Sequence, residues 1–227
     1  MKNDEQLVVA IDGPSASGKS TVSRCVAKEL GFIYVDSGSL YRGMTWQALQ
    51  RSVDVKDAGK VIEVMETSTW DFYIEERVAY FSIDGESPRG ELRSEVVREC
   101  VSDVAAIPEV RKFIVDRLRE MAQFGPIVME GRDIGTVVFP LSAFKFYLDA
   151  DPEERARRRF VELQQAEGES NVENVLSSLQ RRDQKDTTRK TAPLQIALGA
   201  EVINTTHMPI EEVVQHIVGK VREQHQP

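Results

Sequence analysis

Cysteine is nearly absent from this chain: Cys25 and Cys100 are the only two in 227 residues. Two thiols make no disulfide framework, their spacing matches no metal-ligand pattern, and they read as reduced thiols. Histidine is almost as scarce. His207, His216 and His225 all fall in the last 25 residues at no ligand spacing and read as surface residues. No apolar run approaches the roughly 20 residues a membrane helix requires, and LVVAI (7–11), behind the polar MKNDEQ, is too short for a signal-peptide core. Surplus positive charge is lacking too. A net charge of −8 argues against general binding to nucleic acid or to an anionic membrane. A cytoplasmic location and a monomer are the resulting expectations.

What is present is a globular composition, 41% hydrophobic and 29% charged with no low-complexity tract, of a length for one large domain or a core with an insertion. LVVAI is a short β-branched run bounded by Asp12-Gly13-Pro14 and predicts a buried strand. Val22, Cys25, Val26 and Leu30 then trace a helical stripe that Gly31 ends. Between strand and helix lies Gly13-Pro14-Ser15-Ala16-Ser17-Gly18-Lys19-Ser20, followed by Thr21, which fits GxxxxGK[ST] without a mismatch in the context that motif demands. Gly13 and Gly18 permit backbone angles that turn successive N–H groups around a phosphate, and the helix start adds unpaired N–H groups and a positive dipole end. Lys19 is placed to reach the outer phosphates, and the Ser20 hydroxyl to ligate Mg²⁺. The segment predicts a loop for nucleoside triphosphate phosphates, which alone does not separate an enzyme from a nucleotide-gated switch.

Further along, FIYVDSG (32–38) reads as a second strand and Ser39 to Ser52 as a helix bearing Tyr41 and Arg42, with a short helix over 56–66. DFYIEE (71–76) and VAYFSIDGE (78–86) alternate, with a turn signal at Asp84-Gly85, and predict a small antiparallel insertion. Helical spacing covers 91–105 and 109–123, IVM before Glu130-Gly131-Arg132-Asp133 is a buried strand, and AFKFYLDAD (143–151) another. Asp151-Pro152-Glu153-Glu154 starts a helix well, Ser170-x-x-Glu173 repeats the capping-box pattern, and AEVINTT (200–206) and 209–223 form a last strand and helix. Alternating strands and helices imply an α/β fold with a parallel central sheet covered on both faces. Sites in such sheets lie at strand C-terminal ends, where DGPSASGKS, DSG, EGRD and DAD all fall.

Residues 155 to 190 hold nine Arg or Lys against six Asp or Glu, a local basic patch on an acidic chain. Arg155, Arg158 and Arg159 share a helix face. Val172, Val175, Leu176 and Leu179 trace an apolar stripe that, continued, meets Arg182, Asp183 and Asp186, with Arg189 three further on. A core-facing stripe that turns charged points into a cleft, because buried polar groups need partners.

GPSASGKST (13–21), DSGSLYR (36–42), VAAIPEVR (104–111), EGRDIGTVVFP (130–140) and RRDQKDTTRKTAPL (181–194) together resemble the bacterial cytidylate kinases, within the nucleoside monophosphate kinases. The resemblance runs over essentially the whole chain. It implies a three-layer P-loop core (about 1–65 and 104–227), a monophosphate-binding insertion (about 66–103) and a helical lid (about 152–172). It implies transfer of the γ-phosphoryl of MgATP to CMP or dCMP, in pyrimidine nucleotide metabolism. By position, residues 13–21 hold ATP, and Ser37, Arg42 and Arg132 sit at the acceptor phosphate. Ser102, Arg111, Asp133 and Arg189 resemble the cytosine group, and Arg182 and Asp186 the ribose grip. Lys19, Arg132, Arg155 and Arg159 take the catalytic positions. Lys185 departs from the arginine common in the family, which leaves its role open. Another small P-loop kinase, for shikimate, dephospho-coenzyme A, AMP or UMP, and a P-loop switch are the alternatives at this point.

Overall fold

A computed structural model describes residues 7–167 and 172–224, with side chains outside 165–174. Its centre is one sheet in the order β3-β4-β2-β5-β1-β6-β7. These strands are β1 (Val8–Asp12), β2 (Ile33–Asp36), β3 (Trp70–Glu75), β4 (Val78–Ile83), β5 (Ile127–Gly131), β6 (Phe144–Asp149) and β7 (Glu201–Asn204). All neighbours pair in parallel except β3 and β4. β1 and β5 are buried along their whole length, as the continuous apolar runs require.

The pleat divides their side chains between two cores. Ile127 and Met129 face helices α2 (Ser37–Gln50), α3 (Ala58–Thr67), α4 (Glu95–Val104) and α5 (Pro108–Met121). Val9, Ile11 and Val128 face α1 (Lys19–Leu30) and α8 (Ile210–Gln224), where Val26, Ile217 and Val221 complete the layer. Helix pair α6 (Pro152–Glu167) and α7 (Val172–Thr188) has its own small cluster of Ala156, Val175 and Leu179, with Leu176 packed at its edge. The predicted stripe is therefore seen at 175, 176 and 179. The side chain of Val172, the Ser170-x-x-Glu173 pattern and His225 lie outside the described residues. Among those residues no helix is long and apolar enough to cross a membrane, and both cysteines are free.

Three local features differ from what periodicity gives. Helix α2 begins at Ser37, two residues before the predicted start, because the Asp36 carboxylate caps it by accepting from the Ser39 N–H at 3.1 Å. The antiparallel hairpin is no separate layer: β4 joins the edge of the central sheet beside β2. Its tight turn is Glu76-Arg77, both at positive φ (47° and 58°), while Asp84-Gly85 forms a second such turn that pairs Ile83 with Glu86. Finally, Ile134–Val138 winds as one π-helical turn directly after Arg132-Asp133.

Register brings the chemistry to one edge. Asp12 lies opposite Gly131, and Asp36 opposite Glu130. The phosphate loop, the start of α2 and the EGRD segment thus meet at the C-terminal ends of three adjacent strands.

Candidate active site

The phosphate loop runs from the end of β1 to the start of α1. Gly13 passes so close to β6 that a Cβ there would lie 2.1 Å from the Leu148 carbonyl oxygen. Gly18, at φ 87°, precedes a helix whose first turn carries no acidic residue and no side-chain cap. Its N–H groups are therefore available to an anion. Lys19 is 6% exposed and donates to the Pro14 carbonyl at 2.8 Å. Burial, with Arg132 alongside, lowers its pKa to about 7. Ser20 donates to Glu130 Oε1 at 2.5 Å, and the Tyr34 hydroxyl donates to the same oxygen at 3.1 Å.

From this loop a cavity of about 830 Å³ extends along the strand ends to α2, α4 and α7. It is lined by Ser15 to Thr21, Ser37, Arg42, Ser102, Arg111, Arg132, Asp133, Arg159, Arg182, Asp186 and Arg189. The sequence-derived residues are thus brought together, apart from Gly13, Pro14 and Arg155, which do not line it.

The far end is a lattice of arginines and aspartates. Arg42 donates to Asp36 at 2.7 Å. Burial would push the Asp36 carboxyl up, but Arg42 and Arg93 hold it below its ordinary value. Arg111 is ion-paired with Asp133, donates to the Ala105 carbonyl at 3.1 Å and lies 5.2 Å from the Tyr41 ring centre. Asp133 and Asp186 each stand 3.8 Å from Arg189. Arg132 donates through Nε to Asp186 at 3.0 Å. Arg182 has no such carboxylate, and burial together with Arg132 lowers its pKa to about 10. Five arginines face three aspartates here, and Arg42 Nε, Arg111 Nε, Arg182 Nε and Arg189 Nη2 are buried without a hydrogen-bond partner. Buried cationic donors in that state call for an anion.

The shared face of Arg155, Arg158 and Arg159 leads to three destinations. Arg159 reaches the cavity beside Glu162, 2.6 Å away. Arg158 donates to the Thr205 carbonyl at 2.6 Å. Arg155 is buried under the phosphate loop, donating to the Ser15 carbonyl at 3.1 Å and the Ala150 carbonyl at 3.1 Å, and pairs with Asp183. Asp183 in turn accepts from the Ser15 N–H at 3.4 Å, so α6 and α7 grip the loop from behind. Lys185 bonds Asp103 at 2.7 Å, tying α7 to α4 next to Ser102.

The sequence alone assigns no role to Asp12, Asp36 or Glu130, and Asp183, expected in the cleft with Arg182 and Asp186, instead sits behind the phosphate loop. The Asp12 carboxylate accepts from the N–H groups of Ile134 (2.8 Å) and Gly135 (2.7 Å), and burial raises its pKa to about 6. The signal for these three is position: Asp12 and Asp36 close their strands, and Glu130 is the last residue but one of β5.

The family model for cytidylate kinase matches residues 9–223. The chain is 44% identical to the cytidylate kinase of Caldanaerobacter subterraneus subsp. tengcongensis, covering 94% of each sequence. It is also 44% identical to that of Limosilactobacillus fermentum, covering 95% of each. Among solved structures, an uncharacterized protein from Eubacterium ventriosum shares the fold at 11% identity, with a TM-score of 0.54 over 96% of this chain and 99% of the other. A match across nearly the whole length, on motifs that line one cavity, places this chain in the cytidylate kinase family.

Proposed function

We infer that the protein transfers the γ-phosphoryl group of ATP to CMP or dCMP, giving ADP and CDP or dCDP. The observation that carries this reading is the second anion site. A nucleotide switch needs only the phosphate loop, whereas here five further arginines, four of them with an unpartnered buried donor, face the same cavity. Donor phosphates on the loop and an acceptor phosphate among Arg42, Arg132 and Arg182 would meet near Lys19 and Arg159.

Each residue then has a task. Residues 13–21 cradle the ATP phosphates, and Lys19 takes the outer ones. Arg42, Arg132 and Ser37 hold the acceptor phosphate, and Arg182 with Asp186 the sugar. Ser102, Arg111, Asp133 and Arg189 surround the base, where Asp133 suits the cytosine amino group and an arginine its ring acceptors. Phosphoryl transfer has a loose, anionic transition state, so fixed cations contribute most of the catalysis. The acceptor phosphate is already ionised and needs no general base, which agrees with the lack of histidine in the cavity lining. Arg155 does not face the cavity, and we assign it to holding the loop in shape.

Among the described residues no three carboxylate, imidazole or thiol side chains gather as a metal cage. The oxygen donors of Ser20 and Glu130 nonetheless fit a hard cation shared with phosphate oxygens, the way Mg²⁺ is commonly held. When bound, Mg²⁺ would neutralise charge on the transferred phosphates. We assign residues of about 66–103 to the acceptor side and about 152–172 to a lid, whose closure keeps water from the phosphoryl group. We propose a monomer as the working unit.

ADP release measured across a panel of monophosphates tests this. CMP and dCMP should be the preferred acceptors, and a preference for AMP, UMP or shikimate with CMP inert would overturn it.

A further inference from the structure

Behind the acceptor arginines a second, smaller cavity of about 270 Å³ opens between α1, β2 and the β3–β4 hairpin. Its character differs from that of the main cavity. Tyr34 and Tyr80 contribute aromatic rings to it, and Arg24, Arg42, Arg89 and Arg93 contribute guanidiniums, with Asp36 the one acidic residue in the lining. Three of those arginines are answered by carboxylates: Arg42 by Asp36, Arg89 by Glu75 and Arg93 by Glu162. Arg24 instead lies over the ring of Tyr34, 4.5 Å from its centre, and Arg89 lies 3.4 Å from the centre of Tyr80. A guanidinium over an aromatic face can keep its edge donors available. Those of Arg89 go to Glu75 and Tyr73, which leaves Arg24 as the cation with donors to offer. Arg42 adds a buried Nε with no hydrogen-bond partner. On a chain of net charge −8, this is a concave positive spot with an aromatic wall.

We propose that this cavity binds a planar aromatic anion bearing one phosphate or carboxylate group, and that its occupant weakens the grip on the acceptor. Size sets the class. Drug-sized ligands occupy pockets of about 300–1,000 Å³, so a ring with one anionic group fits while a nucleoside triphosphate does not. The ring would lie over the guanidiniums that the tyrosines back, and the anionic group would take the edge of Arg24 and a share of Arg42.

The link to the main cavity is physical. Asp36, Arg42 and Arg93 line both spaces, and the 2.7 Å Arg42–Asp36 bond is the partition between them. Arg42 has one guanidinium to give. An anion behind the partition draws it from the front, so occupant and acceptor antagonise each other, and each reduces the other's affinity by the same factor. This regulatory half rests on the acceptor role of Arg42 given above; the binding half does not.

Phenyl phosphate and benzoate are the probes, with inorganic phosphate as the ring-less control. Trp70 stacks on Phe81, 5.2 Å between ring centres, and Phe81 lines the cavity, so tryptophan fluorescence reads occupancy without any nucleotide present. Phenyl phosphate or benzoate should bind at least about tenfold more tightly than inorganic phosphate, and the tighter of the two identifies the anionic group. Arg24→Ala should weaken that binding by about fivefold or more while leaving kcat and the KM for CMP of the uninhibited enzyme unchanged. With rising probe concentration the KM for CMP should climb to a plateau, as two coupled sites require. A KM that climbs without limit and is unaffected by Arg24→Ala would place the probe in the acceptor cavity and overturn the proposal. So would the absence of a saturable signal at millimolar probe. Because the fluorescence titration needs no acceptor, it remains decisive even if CMP proves not to be the substrate.

Discussion

Asp12 and Gly135 lie 123 positions apart, and the carboxylate of the first accepts the backbone N–H of the second at 2.7 Å. Its other oxygen accepts from Ile134 at 2.8 Å. Asp12 ends β1 directly before the phosphate loop, and Ile134 follows Arg132-Asp133, so a single side chain fixes that loop against the segment after β5. Asp12→Asn would turn one acceptor into a donor facing an N–H, at a cost of about 1–3 kcal/mol. The expected result is a drop in kcat/KM for CMP of about tenfold or more, measured alongside urea unfolding. The pH dependence has a definite sign. With a folded pKa of about 6 against 3.8, the folded protein keeps a proton that the unfolded chain has released. The stability from that proton is complete below about pH 4 and is lost as pH rises through about 6. Between those limits, the stability of wild type relative to Asp12→Asn should fall by up to about 2–3 kcal/mol.

Lys19 is lowered to about 7 by burial and by Arg132, so near pH 8 it is mostly neutral without ligand. Anionic phosphates favour its charged form, and nucleotide binding should draw in a proton. Calorimetry at pH 8 in buffers of different ionisation heat should show uptake approaching one proton per ATP, with affinity falling as pH rises above about 7. In Lys19→Ala that uptake should vanish and turnover should fall by orders of magnitude. Equal heats in all buffers would mean that Lys19 stays charged in the empty loop.

Asp133 pairs with Arg111 and is proposed to read the base, and two substitutions separate these roles. Arg111 is 2% exposed and has Asp133 as its ion partner, so Asp133→Ala leaves a buried charge alone. A loss of about 3–5 kcal/mol in unfolding free energy is expected. Asp133→Asn keeps the shape and an acceptor oxygen but also offers a donor to the uracil carbonyl. Its CMP/UMP activity ratio should narrow, and an unchanged ratio would assign base choice to another residue.

Asp186 bonds Arg132 at 3.0 Å and does not pair with Arg182, the residue one helical turn before it. Asp186→Ala should therefore lower kcat on every acceptor, because Arg132 loses its anchor. A further rise in KM should be seen only with CMP and dCMP, where a sugar hydroxyl is present, and not with the 2′,3′-dideoxy analogue. Losing a charge-assisted bond to that hydroxyl costs roughly 1.5–3 kcal/mol, about tenfold to a hundredfold in KM. Equal losses on all three acceptors would leave Asp186 as an anchor alone.

These tests also mark where sequence reading reached and where it stopped. The phosphate loop was legible because its glycines, lysine and hydroxyl act through local backbone geometry between a strand and a helix. The EGRD and α7 segments stood out by motif and by an apolar stripe that turns charged, and register then brought them into one cavity. Asp12 read only as a turn residue, since its partners lie more than a hundred positions away. Arg155, Arg158 and Arg159 shared a face by spacing, but a long arginine stem lets neighbours on one face end at a loop carbonyl, a strand end and a cavity. The Glu76-Arg77 turn carried no glycine or asparagine to betray its positive φ.

The hairpin that extends the sheet is stitched to it by very little. One residue pair, Tyr34 with Val78, joins β4 to β2, and the Tyr34 N–H donates to the Arg77 carbonyl at 2.8 Å. By contrast, five pairs join β1 to β5. Beyond that stitch, side chains hold the hairpin: Phe81 and Ile83 sink into the core, Asp84 accepts from Gln47 and pairs with Arg51 at 2.8 Å, and Arg77 donates to the Gly31 carbonyl. The hairpin edge can thus part from β2 with a single ladder contact broken, its side-chain ties giving way with it, while the β1–β5 ladder stays intact. Deuterium uptake at the Tyr34 amide would count those partings, while the amides between β1 and β5 exchange only when the whole molecule unfolds.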